Sequence, residues 1–165
     1  MIKPLFQKVI VAYNGSKSSL HAVMYAILLV KQTSCRVKVI YVVNTDAIKT
    51  LSLAKILIPD ECKDASAQIE QDGKNNLAYV EKLGKSKGIK IETELRFGAV
   101  WSELVSAADE WQSNLILLGG TSGLTEFTSL IHTKLSTQNS EIIGSSHCNV
   151  MVVKEQYIEQ LFKMA

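Results

Sequence analysis

Leu115-Ile116-Leu117-Leu118 constrains this chain more than any other stretch. Four consecutive apolar residues are too few for a helix, and a strand with no polar side is buried on both faces. Such a strand belongs in the middle of a parallel sheet layered between helices. Four other runs fit the same sheet. Lys8-Val9-Ile10-Val11-Ala12-Tyr13 comes first and closes on Asn14-Gly15-Ser16, and a β-branched run from Val37 to Val43 closes on Asn44. Ile89 to Leu95 alternates, so one of its faces is less buried and it lies toward an edge. Val150-Met151-Val152-Val153 is the last.

The segments between them have helical period. Leu20, Val23, Met24, Ile27 and Val30 recur at steps of three and four behind Ser16, a plausible N-cap. Ile69, Gly73, Leu77, Val80 and Leu83 mark a helix from about Glu61 to Lys87, which Gly84 and Gly88 end. Gly98 precedes a helix whose apolar face is Trp101, Leu104, Val105, Ala108 and Trp111. Thr45 to Pro59 reads as a partly helical connection covering part of the sheet, and Glu155 to Met164 as an amphipathic tail helix. The alternation predicts an α/β fold: a five-stranded, mostly parallel sheet with helices on both faces and right-handed crossovers. No break in composition divides the chain, so one domain is expected over residues 1–165, with its core in 6–154 and a tail helix in 155–165.

Composition excludes several function classes. An apolar fraction of 47% and a charged fraction of 21% are ordinary for a globular chain. A net charge of +2 is too small and too dispersed for nucleic-acid binding, and Lys82 to Lys90 reads as a solvated helix end with its exit loop. No apolar run approaches the roughly 18 residues that span a bilayer. Met1-Ile2-Lys3-Pro4 runs straight into a strand pattern with no signal-peptide core. Cys35, Cys62 and Cys148 lack CxxC or Cys/His spacing, so they read as reduced structural thiols rather than metal ligands, and the cytoplasm is the default location.

In such sheets ligands sit outside the carboxyl ends of the strands, near the point where strand order reverses. Tyr13 to Ser16, Val42 to Asn44 and Gly119 to Gly123 supply those ends. The glycines permit close backbone approach, and a following helix would aim N–H groups at an anion. Phosphate-loop, dinucleotide and hydrolase-elbow signatures are absent from the sequence. His21, His132 and His147 have no triad partner at recognisable spacing, and Ser16 and Ser122 have no evident activating base. Cys148 reads as a core residue, Trp101 and Trp111 as packing, and Lys134 as a surface cation. No catalytic residue is assigned.

Four segments carry a resemblance to the universal stress protein family. Lys8 to Ser16 is similar to that family's opening strand, Asp, Gly and Ser; Ile40-Tyr41-Val42-Val43-Asn44 is similar to its second strand. Asn114 to Gly119 followed by Ser122-Gly123-Leu124 resembles its Gly-rich segment, and Cys148 to Val153 its closing strand. The likeness spans about residues 6–154. It implies a Rossmann-like fold of the adenine-nucleotide alpha-hydrolase type that holds ATP or AMP, with Mg²⁺ accompanying ATP. The nucleotide-binding residues it implies are Ala12, Asn14, Val42, Leu118, Gly119, Gly120, Ser122, Gly123, Ser136 and Thr137. Asn14 stands where the family has Asp, so it brings hydrogen bonds but no charge. The family's late Gly-Ser/Thr falls on Ser136-Thr137, and its second glycine falls on Ser122, although Gly120 and Gly123 restore the short spacing one residue later.

The resemblance also implies a homodimer through the last strand. An apolar edge formed by Val150, Met151, Val152 and Val153 invites such pairing, unless Lys154 and the tail helix cap it. The expected function is therefore a non-catalytic stress-response module that acts by dimerising or by docking on a protein partner, with neither nucleic acid nor membrane as its target. The alternative is an enzyme hydrolysing ATP slowly in the same crevice. It is disfavoured because no carboxylate replaces the one lost at Asn14, and Asp46 is the nearest in sequence.

Overall fold

A computed structural model describes residues 2–54, 58–120 and 138–165. The chain runs β1 (Lys8–Ala12), α1 (Lys17–Thr33), β2 (Arg36–Val43), α2 (Thr45–Leu53), α3 (Pro59–Ser86), β3 (Glu92–Phe97), α4 (Val100–Trp111) and β4 (Leu115–Gly119). Helix α5 (138–145), β5 (Asn149–Val153) and α6 (Ile158–Met164) complete it. The five strands pair in the order β3-β2-β1-β4-β5, all parallel. From β1 the chain steps outward to β3, then crosses back past β1 to lay down β4 and β5. The order therefore reverses between β1 and β4.

The period-2 alternation of strands sorts the core into two layers. Val9, Val11, Val37 and Val39 pack with Ala22, Val23, Ala26 and Ile27 of α1 and with Leu77 and Val80 of α3. Ile10, Ile40, Ile116 and Leu118 face the other way, onto Leu104, Ala107 and Ala108 of α4 and Ile142 of α5. Leu115 to Leu118 is buried on both faces, as a wholly apolar run at the centre of a parallel sheet requires. No helix among the described residues is long and apolar enough to cross a membrane.

Four expectations need correction. The third strand begins at Glu92 and runs to Phe97, not from Ile89 to Leu95. Ile89 N–H donates to the Gly84 carbonyl and Ile91 fills the space against Gly84, so these two isoleucines close the helix rather than extend the sheet. Gly84 accordingly lies inside α3: a Cβ there would sit 2.7 Å from Ile91 Cδ1. Gly88, at φ +72°, is the residue that turns the chain. Trp101 is 39% exposed instead of facing the core, which α4 reaches through Leu104, Ala107 and Ala108. The tail becomes helical only at Ile158, and its Ile158 and Phe162 are buried in the α1 layer.

Helix α3 has 28 residues, about 42 Å of rise, whereas the six residues of β3 span about 20 Å. Gly84 lies over Ile91 at the amino end of β3, while Gly73 packs against Leu95 and Tyr41 and Asn76 against Gly15. The first turns of α3 therefore extend past the carboxyl end of the sheet, with α2 packed against α3.

Candidate functional site

The crevice is framed by the ends of β1, β2 and β4. Its floor starts at Asn14, where an Asx turn starts α1. Asn14 Oδ1 accepts from the Ser16 N–H at 3.0 Å and from the Ser19 hydroxyl at 2.8 Å. Ser16 is the N-cap, accepting from the Ser19 N–H, and Gly15 supplies the positive φ of 82° between them. Ser19 is the one buried polar residue of the described core and ties the turn to the first turn of α1. With its oxygen engaged, the exposed Asn14 side chain has its two N–H donors left to offer.

Val42 reaches the crevice through its main chain. The β1–β2 ladder closes with the Tyr13 N–H donating to the Ile40 carbonyl at 2.9 Å. Alternate residues of a strand direct their N–H and C=O to the same side, so Val42 points both toward β1, past the point where β1 has ended. Val43, out of phase, bonds toward β3 instead, where its carbonyl accepts from Gly98 N–H. Ala12 is the last residue of β1, half-buried beside this gap.

Gly119 and Gly120 do packing work. A Cβ on Gly119 would sit 2.6 Å from the Ser18 carbonyl carbon, so only glycine lets β4 end against the backbone of α1's first turn. A Cβ on Gly120 would meet the Val153 carbonyl oxygen at 2.5 Å, and the Gly120 N–H already donates to that oxygen. The Gly119 carbonyl accepts from Asn139 Nδ2 at 3.4 Å, joining the strand end to α5. Leu118 is buried in the core beneath them. Ser122, Gly123, Ser136 and Thr137, with His132 and Lys134, lie outside the described residues.

Beside the crevice, Tyr13 Oη reaches Asn76 Oδ1 at 3.3 Å, and its ring meets Tyr41 edge-on at 6.3 Å. Burial is the main cause that raises both phenol pKa values above the ordinary tyrosine range, so these hydroxyls stay protonated donors at neutral pH. Burial likewise pushes up the Cys148 thiol, and Cys35 is buried; both are free cysteines. That makes Cys148 a packing residue rather than a nucleophile. His21 pairs with Glu159 of α6 at 2.9 Å, and His147 with Asp109 at 3.0 Å.

The sequence reading missed a charged cluster on the other side of the sheet. Arg96 lies 2.8 Å from Glu94, 2.8 Å from Glu103 and 3.0 Å from Glu110. Lys38 pairs with Glu94, Arg36 with Glu92, and Lys8, Arg36 and Lys38 gather over the Trp111 ring. The only local trace of it was the alternation of Glu92, Glu94 and Arg96, which put all three on one face. At the opposite edge, Gly120 bonding to Val153 sets the phase of β5. Val153 and Met151 direct their main chains to β4, and Val150, Val152 and Lys154 direct theirs outward. A groove beside this edge is lined by Tyr25, Met151, Lys154 and Tyr157.

Comparison with known proteins agrees with this fold. The family model described as the universal stress protein family matches residues 5–154. A universal stress protein of Methanocaldococcus jannaschii is 29% identical over 153 residues, covering 92% of this chain and 84% of that one. Among solved structures, UspA of Lactobacillus plantarum superposes with a TM-score of 0.72 at 17% identity, covering 90% of this chain and 98% of that one. The universal stress protein of Archaeoglobus fulgidus in complex with dAMP gives a TM-score of 0.61 at 14% identity, covering 91% and 99%.

Proposed function

The chain belongs to the universal stress protein family, and from that premise we propose that it is a non-catalytic stress-response module whose crevice takes an adenine nucleotide. The observation that carries the reading is Val42. Its main-chain N–H and C=O face the crevice where β1 no longer runs alongside. A donor and an acceptor fixed at one strand end match the edge of an adenine ring. The Archaeoglobus protein of the same fold, which carries dAMP, supports the ligand class.

In this reading Ala12 and Leu118 border the base, and Asn14 stands at the ribose. Because its oxygen is held by Ser16 and Ser19, Asn14 donates to a ribose hydroxyl where an aspartate would accept. Phosphates of AMP or ATP, with Mg²⁺ for ATP, extend toward Gly119 and Gly120 and onward to Ser122, Gly123, Ser136 and Thr137. The Gly120 N–H is occupied by Val153, so phosphate donors come from further along that segment. Residues 12–16, 42–44 and 118–120 carry amides, hydroxyls and glycines but no carboxylate, which favours binding over hydrolysis. The module acts as a homodimer through Val150 to Val153 or by docking on a protein partner.

Calorimetry with AMP, ADP and ATP, with and without Mg²⁺, tests the ligand. Binding is expected without phosphate release, and Asn14→Ala weakens it about tenfold, the loss of roughly one hydrogen bond to a ligand. No detectable binding of any of the three would overturn the nucleotide reading.

A further inference from the structure

A second groove lies at the far end of the sheet from the crevice. It wraps the amino end of β3 and is lined by Lys38, Glu81, Lys85, Ile89, Lys90 and Thr93, among others. Its acidic residues are engaged: Glu81 accepts from the Thr93 hydroxyl at 2.5 Å, and Glu92 is bound by Arg36 at 2.9 Å. Of its cations, Lys38 is held by Glu94, whereas Lys85 and Lys90 have no acidic partner among the described residues. Among the same residues Lys82 has no carboxylate within ion-pair distance, and Lys87 lies 4.8 Å from the Phe162 ring.

Lysines at the end of α3 also serve the helix by offsetting its C-terminal dipole. That accounts for Lys85, in the last turn. It does not account for Lys90, which lies beyond Gly88 and lines the same groove. The groove also carries an unpaired strand edge. Gly98 N–H donates to the Val43 carbonyl, which puts Arg96, Glu94 and Glu92 in phase with β2 and leaves the main chains of Thr93 and Leu95 directed outward.

We propose that this groove binds an extended acidic peptide segment, added beside β3 as a sixth strand with its carboxylates on Lys85 and Lys90. Outward N–H and C=O groups at Thr93 and Leu95 supply the backbone pairing, and strand addition of this kind takes its specificity from alternate side chains. The partner's acidic residues fall at every second position, on the α3 side, where the rim is basic. On the α4 side, Glu92 and Glu94 are already neutralised by Arg36 and Lys38. A concave site along a strand edge suits a chain segment better than a flat bilayer surface. The exposed groove residues include no aromatic ring on which a nucleic-acid base would stack.

The test is fluorescence anisotropy of a labelled octapeptide of alternating Glu and Thr, with the full chain. Binding is expected to weaken at least tenfold in Lys85→Gln/Lys90→Gln, and by a similar factor when alternate peptide amides are N-methylated. It is expected to fall as salt rises and to stay unchanged in Lys49→Gln, on α2. Circular dichroism of the variants guards against lost folding, which exposed lysines do not threaten. Three results would overturn the proposal: equal binding of a Gln-Thr peptide, equal binding by the double variant, or full binding of the N-methylated peptide. Tighter binding of phosphatidylserine vesicles or of a single-stranded oligonucleotide than of the peptide would also overturn it.

Discussion

The two edges of this sheet solve the same problem in opposite ways. β3 presents Glu92, Glu94 and Arg96 on one face, each tied to charges on β2 or α4. β5 presents Val150, Met151 and Val152, half-buried and without a charge among them. Both leave main-chain groups pointing outward, Thr93 and Leu95 on one edge and Val150 and Val152 on the other. A charged edge refuses an apolar strand, because its carboxylates and guanidinium would lose water without gaining partners. An apolar edge has no such defence. In the proposed reading this difference gives self-association to β5 and leaves β3 for a segment that brings its own charges.

Substitutions that erase the difference test it. The largest effect is expected from Arg96→Met, because the Arg96 side chain is only 14% exposed and its guanidinium faces three carboxylates. Stability measured by urea unfolding should fall by about 2 kcal/mol, since like charges are left together without their cation. The Arg96 hydrogen bond and charge hold the Glu110 carboxyl below the ordinary carboxylate range. That contribution is present above a pH of about 4.3 and is lost as pH falls through the lowered folded value. The stability gap between wild type and Arg96→Met should therefore narrow in acid. A gap that widens below that pH would contradict the cluster.

Val152→Lys gives β5 the kind of defence β3 has. If the proposed dimer forms through β5, light scattering should then report a mass near one chain of 18.2 kDa and near two for the unaltered protein, with a stability loss of about 1 kcal/mol for the half-buried site. An unchanged mass would remove β5 from the interface. Glu92→Val works in the other direction, stripping charge from β3 while costing about 0.5 kcal/mol or less for an exposed pair. Concentration-dependent association should rise in that variant, and its absence would mean that side-chain charge is not what guards the edge. His21→Ala, the smallest, leaves Glu159 only its longer contact with Lys17 and loosens α6 without touching either edge. Tm should drop slightly at unchanged mass; a shift in mass would make the tail helix, not the strand, the keeper of β5.

The strands were legible because apolar runs and β-branched residues record burial locally. β4 was the clearest of them, and Asn14-Gly15-Ser16 showed its turn chemistry equally well. Gly84 was misread because a glycine at a helix end and a glycine under a crossing isoleucine look the same in one dimension. The duties of Gly119 and Gly120 were hidden for a related reason. They depend on Ser18 and Val153, residues remote in sequence that only the folded sheet brings so close that a Cβ would not fit. Arg96 is the extreme case, since three of its partners come from two different elements and none has a spacing that names it.

The overhang of α3 has a mechanical consequence. Gly73 is a tight contact between this helix and the sheet, where a Cβ would come 2.9 Å from Leu95 Cδ1 and 3.0 Å from Tyr41 Cδ1. About 14 residues, roughly 20 Å of helix, precede this contact, so a tilt of about 10° at Gly73 would displace the helix tip by about 4 Å. A single methyl group there would be felt twice, as strain at the contact and as a shifted wall beside the crevice.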